Sequence, residues 1–163
     1  MTTDSPIIRA VTKSDLPILD RALRALSDEL GDAHPTDITL LERAGFGPTP
    51  AYYALIALTD QDALCGAVVF SPFLSTSLAA SGLYVSDLWV ADAARGTGLG
   101  RRLLGSAARS AEARWGATYL KLTVYHDAPA ARRFYDRLGL TARDGETAMF
   151  LDKSGLDTLK GQA

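Results

Sequence analysis

Apolar and polar residues alternate along this chain with two different periods, and the changeovers mark its elements. Ile7 to Val11 reads as a short opening strand. Leu16, Leu19, Leu23, Leu26 and Leu30 recur at helical spacing, which predicts a helix capped by Ser14, with Pro17 tolerated in its first turn. Gly31 to Pro35 breaks that pattern, and Thr36 or Asp37 starts a shorter helix that stops at Gly45. After the loop Gly47-Pro48-Thr49-Pro50, Tyr52–Leu58 and Ala63–Phe70 predict two strands joined by Asp60-Gln61-Asp62. The serine- and alanine-rich stretch Pro72 to Gly82 predicts a loop, and Leu83 to Val90 the next strand. Leu103, Ala107, Ala111 and Trp115 mark one face of a helix over Leu99–Trp115. A strand over Tyr119–Tyr125 follows, then a helix with Pro129 in its first turn and Gly139 at its end. Thr147 to Leu151 predicts a last strand. The order β-α-α-β-β-β-α-β-α-β, without repeat or linker, predicts one mixed α/β domain over residues 1–163.

Composition narrows the function classes. The 163 residues are 47% hydrophobic and 22% charged, as in ordinary globular proteins. A net charge of −2 gives no support to a general nucleic-acid-binding role and is compatible with binding an amine. The single Cys65 lies in an apolar run, which excludes an internal disulfide and predicts a buried, inert thiol. With only His34 and His126 beside it, no zinc spacing can be assembled, and no metal is expected. No apolar run reaches the ~18 residues that span a membrane. The polar start Met1 to Pro6 shows no signal-peptide pattern, so a cytoplasmic protein is expected.

The chemistry concentrates in Arg95-Gly96-Thr97-Gly98-Leu99-Gly100, between a predicted strand and a predicted helix. The first amides of a helix have no internal partner and carry the positive end of its dipole. Glycines let an anion approach the backbone without meeting a Cβ. A phosphate-bearing ligand follows, unless the glycines serve only a structural turn. The segment is not a Walker A loop, because Gly100 is followed by Arg101 and not by Lys-Ser/Thr. It makes a poor dinucleotide fingerprint, because Arg101 stands where a third glycine belongs.

The pattern that remains is Arg/Gln-x-x-Gly-x-Gly/Ala, matched by Arg95, Gly98 and Gly100. It resembles the acetyl-CoA loop of the GCN5-related N-acetyltransferases, the GNAT family. Downstream, Ala131-Arg132-Arg133-Phe134-Tyr135-Asp136-Arg137-Leu138-Gly139-Leu140 resembles the family's second hallmark, a Phe-Tyr helix ending in Leu-Gly. Leu40 to Gly47, Gly66 to Pro72 and Tyr84 to Val90 are similar to the diamine (spermidine/spermine-type) acetyltransferase branch. The resemblance implies the GNAT fold, a mixed central sheet flanked by helices whose fourth and fifth strands splay apart. It also implies acetyl-CoA as cosubstrate and, as in most of the family, a homodimer.

Residue roles follow from the resemblance. The backbone of Leu88, Trp89 and Val90 would pair with the pantetheine arm. The amides of Arg95, Gly96, Thr97, Gly98, Leu99, Gly100 and Arg101 would hold the pyrophosphate. Arg101 and Arg102 would assist electrostatically or simply form a solvated helix face. Tyr135 would be the general acid, since a phenol stays protonated at neutral pH. Ser86 stands where some diamine acetyltransferases carry a glutamate, which leaves Asp87 to accept the amine proton through water, to orient the ammonium, or to serve a structural hydrogen bond. Ala128 replaces an asparagine common in relatives, with Asp127 and His126 beside it. Asp28, Glu29, Asp32 and Asp37 would attract a cationic substrate, or are ordinary surface acids. The expected reaction is direct acetyl transfer in a ternary complex to a primary amine of a small molecule, a diamine or polyamine first and an amino-acid side chain next. A protein N-acetyltransferase and a non-catalytic acyl-CoA sensor are the alternatives.

Overall fold

The computed structural model describes residues 5–161. The polar start from Met1 to Asp4 lies outside them. By compactness the chain divides after Tyr125 into a larger and a smaller unit.

The larger unit is a five-stranded sheet with helices on both faces. Its elements are β1 (Ile7–Ala10), α1 (Leu16–Leu30), α2 (Ile38–Phe46), β2 (Tyr53–Leu58), β3 (Leu64–Ser75), β4 (Ala80–Val90), α3 (Leu99–Trp115) and β5 (Tyr119–Leu122). The strands lie in sequence order, all antiparallel except β4 and β5, which run parallel through the crossover helix α3. This is the mixed α/β architecture expected from the sequence.

Period-2 alternation sends side chains to two cores. Ala54, Ile56, Leu58, Ala67 and Val69 pack with Leu16, Leu19 and Ala22 of α1 and Leu41 of α2. On the other face α3 lies across β2, β3 and β4, burying Leu99, Leu103, Leu104, Ala107 and Ala111. Gly66 is the point of closest approach, since a Cβ there would stand 2.9 Å from the Leu103 side chain. Before α1, Arg9 grips Asp15 through two bonds of 2.6 and 2.8 Å, and Asp15 also accepts the Thr12 amide at 2.8 Å. Ser14 sits inside that short turn, so the helix start is organised by Thr12 and Asp15 and not by the expected serine. Asp37 caps α2, accepting the Leu40 amide at 2.7 Å.

Pro72 to Gly82 is no loop. β3 continues to Ser75, β4 begins at Ala80, and only Thr76–Ala79 turns between them. Beyond Phe70, β3 has left β2 behind and pairs with β4 alone, so Pro72, which lacks an N–H, disturbs no ladder on that side. Most of this two-stranded ribbon is exposed, Phe73, Leu74 and Leu78 included, so it carries no inside–outside alternation to read.

The smaller unit holds α4 (Pro129–Arg137) and α5 (Lys153–Leu159). Pro129 opens α4 as expected, and Gly139, at φ 88°, follows its end. The strand predicted over Thr147–Leu151 does not form, because a strand needs a ladder partner and this segment pairs with none among the described residues. Met149 and Phe150 are 89% and 90% exposed. Asp152 caps α5 by accepting the Gly155 amide at 2.8 Å. Among the described residues no helix is long and apolar enough to cross a membrane.

Candidate active site

The site is built on an irregularity in β4. Val85 pairs with Phe70 and Asp87 with Val69, which leaves Ser86 as an extra residue, a β-bulge. One extra residue reverses the alternation. Val85, and Leu83 two residues before it, point to the α3 face, where Val85's pairing partner Phe70 packs against Trp115. Without the bulge Asp87 and Trp89 would follow them. With it they turn to the opposite face, and Trp89 packs against the α1 core.

The parallel ladder from β5 stops at the same point. It joins Gly82–Val85 to Tyr119–Leu122 and goes no further. From Ser86 to Val90, β4 keeps β3 on one edge and, among the described residues, has no strand on the other. Leu88, Trp89 and Val90 therefore carry backbone groups on an open edge, the splay expected between the fourth and fifth strands. Groups on such an edge can pair with an extended amide-bearing ligand, and the Val90 carbonyl there already accepts the Arg95 Nε at 3.0 Å.

The open edge leads directly into the glycine loop. Gly96 and Gly98 take φ values of 75° and 83°, and nothing lies within 4 Å of where their Cβ atoms would stand. Both facts explain the glycines: the left-handed conformation, and a concavity that side chains do not fill. The first bond of α3 runs from the Arg102 amide to the Gly98 carbonyl at 3.1 Å, so the amides of Leu99, Gly100 and Arg101 precede the ladder. Leu99 anchors the helix start in the core, 1% exposed. Thr97 donates its hydroxyl to the Ala94 carbonyl at 2.7 Å, which leaves its backbone for a ligand. Amides that precede the ladder beside an unfilled concavity are a donor set suited to an anion. Of the two arginines that follow, Arg102 is tied to Ser5 and the Pro6 carbonyl, and Arg101 is exposed with no side-chain partner among the described residues.

The predicted carboxylates separate into different situations. Asp87 accepts the Ser86 hydroxyl at 2.7 Å on the open half of β4. Glu29, at the end of α1, accepts the Trp89 indole at 3.1 Å and Arg95 at 2.6 Å. Asp32 accepts the Tyr125 hydroxyl at 2.9 Å, a contact no sequence signal announced. Asp28 is exposed on the last turn of α1, and Asp37 is committed to the α2 cap. The connection carrying Asp32 is held to α1 through His34, which contacts Asp20 at 2.9 Å and Ser27 at 3.3 Å.

Tyr135 lies on α4 in the smaller unit, edge-to-face with Phe134 at 5.1 Å. Burial pushes its phenol upward from the ordinary value, so it holds its proton more firmly than a free tyrosine. Ala128 precedes the helix without capping it by a side-chain bond, and His126 and Asp127 are exposed.

The profile of the Acetyltransferase (GNAT) family matches residues 19–140. The chain belongs to the GNAT acetyltransferase family. The match runs from α1 to the end of α4, and so contains the open strand edge, the glycine loop and Tyr135. Solved GNAT-like structures share the fold. An integron cassette protein from the mobile metagenome of V. cholerae superposes with a TM-score of 0.75 at 21% identity, covering 96% of this chain and 98% of its own. A ribosomal-protein-alanine N-acetyltransferase from Brucella melitensis biovar Abortus 2308 gives a TM-score of 0.73 at 20% identity, covering 90% of this chain and 100% of its own. An aminoglycoside acetyltransferase from an uncultured soil metagenomic sample, solved with sisomicin, gives 0.72 at 16% identity, covering 91% and 97%. No curated protein gives a significant match. This GNAT protein is an N-acetyltransferase of a family that uses acetyl-CoA. The resemblance to the diamine branch gains nothing specific from these comparisons.

Proposed function

We propose that this GNAT enzyme transfers acetyl from acetyl-CoA to a primary amine of a small cationic molecule, in a ternary complex. The observation that carries the reading is the edge of β4 that β5 leaves uncovered, followed by the glycine cradle at the start of α3. Bound acetyl-CoA supplies an acetyl thioester: the amine nitrogen forms a bond to the carbonyl carbon, the carbon–sulfur bond breaks, and the sulfur leaves as a thiolate that takes up a proton.

The chain's own residues do the rest. Leu88, Trp89 and Val90 hold the pantetheine arm as an added strand, and the amides from Gly96 to Arg101 hold the pyrophosphate. Asp87, turned toward α1 by the bulge and steadied by Ser86, receives through water the proton the ammonium must lose. Tyr135 donates a proton to the departing sulfur and regains one as the acylated nitrogen sheds its second proton, a role suited to a phenol whose proton is firmly held. Asp32 and Asp28 provide negative charge at the end of α1 for the distal ammonium of a diamine or polyamine. The enzyme works as a homodimer.

Acetyl-CoA consumption with diamines, polyamines, amino acids, an aminoglycoside and N-terminal peptides tests this reading. Turnover greatest on diamines or polyamines is expected. Preferred turnover on peptides replaces the acceptor class with a protein. Tight coenzyme A binding without turnover on any acceptor replaces the enzyme with a sensor.

A further inference from the structure

Glu29 occupies a position that local energetics disfavour. It lies in the last turn of α1, which carries no basic residue, and a carboxylate there faces the negative end of the helix dipole. Its two oxygens take two different donors, the Trp89 indole and the Arg95 guanidinium. Trp89 belongs to the open half of β4, and Arg95 begins the glycine loop.

Arg95 is committed as fully as Glu29. Its Nε donates to the Val90 carbonyl at 3.0 Å, one terminal nitrogen meets Asp92 at 2.7 Å and the other meets Glu29 at 2.6 Å. Its charge is thus engaged by two carboxylates of the chain itself. The loop has little else to define it. Two of its residues are glycines in open space, and its other side-chain tether is Thr97 to the Ala94 carbonyl. A glycine-rich segment without packing samples many conformations, so a ligand must order it unless something already has.

We propose that Glu29 is a positioning residue of the cofactor site. Through Arg95 and Trp89 it joins the glycine loop and the open half of β4 to the end of α1, and it is not a ligand of the acceptor amine. The proposal rests on the acyl-CoA reading above, and it divides the acids at the end of α1 between preorganising the cofactor site and meeting the acceptor.

The test uses coenzyme A as probe in calorimetric titrations of the full chain, with ligand-free amide hydrogen exchange over residues 95–101. Glu29→Ala weakens coenzyme A about fivefold, the scale of a partly exposed ion pair (Glu29 and Arg95 side chains are 41% and 48% exposed), and speeds exchange in the loop. Arg95→Ala does the same, and the double variant is no worse than either single one. Glu29→Gln, which keeps one acceptor oxygen, falls between wild type and Glu29→Ala. The KM of the acceptor amine does not move in any of them. Unchanged coenzyme A affinity and unchanged loop exchange in Glu29→Ala overturn the proposal, as does a rise confined to the amine KM. A wild-type protein that fails to bind coenzyme A refutes the acyl-transfer reading instead, and loop exchange in the variants then decides the role of Glu29 alone.

Discussion

The two halves of β4 are built from similar residues and do different work. Gly82–Val85 is closed on both edges, by β3 and β5, and Leu83 and Val85 are buried. Ser86–Val90 has one open edge, a carboxylate facing α1, and no residue buried to the same degree. One inserted residue separates them. The lesson is that a bulge converts a strand from scaffold into site by two linked effects: it turns the following side chains over, and it lies where the neighbouring strand lets go.

The most severe way to break the contrast is to place a carboxylate in the closed half, by Val85→Asp. Val85 is 4% exposed and faces α3, so the new charge would be buried there without a partner. A loss of about 3–5 kcal/mol is expected in urea unfolding, the cost of an unpaired buried charge. Ser86→Ala keeps the bulge and costs about 1 kcal/mol or less, the worth of its hydroxyl's bonds. Equal effects from the two variants would deny that the closed half is core and the open half is not.

Next in size is Tyr135→Phe, which is expected to lower kcat about 10²-fold while coenzyme A affinity stays unchanged. The firmly held phenol also predicts the direction of the pH profile. Burial raises its pKa, so its donor form persists to higher pH than a free tyrosine's would, and any alkaline decline of kcat set by this group is displaced upward. A profile declining at the ordinary phenol value would remove Tyr135 from the acid role.

Two glycines sharpen the comparison further. Gly82, in the closed half, sits where a Cβ would stand 2.6 Å from the Tyr119 ring. Gly82→Ala should therefore cost about 1–3 kcal/mol of stability and leave coenzyme A affinity of the folded protein alone. Gly98 stands in open space at φ 83°. Gly98→Ala pays about 1–2 kcal/mol for the left-handed backbone, and it weakens coenzyme A about tenfold as the cradle distorts. If both variants altered stability and affinity alike, the scaffold and the site would be one structure.

The smallest expected effect is a control remote from the contrast. The Arg9 guanidinium beside Asp15 holds that carboxyl well below the usual carboxylate range, against the opposing effect of burial. A lowered folded-state pKa stabilises the protein at every pH above the unfolded value near 4, and the contribution disappears as pH falls below it. The urea midpoint should thus decline below about pH 4, and Asp15→Asn, already less stable at neutral pH, should decline less steeply. Coenzyme A affinity per folded molecule at neutral pH should not change.

Much of this was legible in the chain, for identifiable reasons. Long amphipathic runs such as Leu16–Leu30 and Leu99–Trp115 announce themselves because packing against a sheet demands helical spacing. The cradle could be read because left-handed backbone selects glycine at Gly96 and Gly98. The bulge left a trace that is easily passed over: apolar residues fall at Leu83 and Val85, then at Leu88 and Val90, two period-2 frames set one residue apart. The ribbon over Pro72–Gly82 left none, because most of it is exposed. Thr147–Leu151 shows the converse, a strand-like sequence without a ladder partner among the described residues. Distant pairings such as Asp32 with Tyr125 and Glu29 with Arg95 carry no local signature, because they depend on where the fold brings the end of α1.

The central claim is that the open half of β4 and the glycine loop receive acyl-CoA while the closed half only supports them. Backbone amide shifts on titration with coenzyme A test it most directly. The account predicts large perturbations in Ser86–Val90 and Gly96–Arg101 and small ones in Gly82–Val85. Saturable binding that perturbs Gly82–Val85 as strongly, or leaves Gly96–Arg101 unmoved, would contradict it.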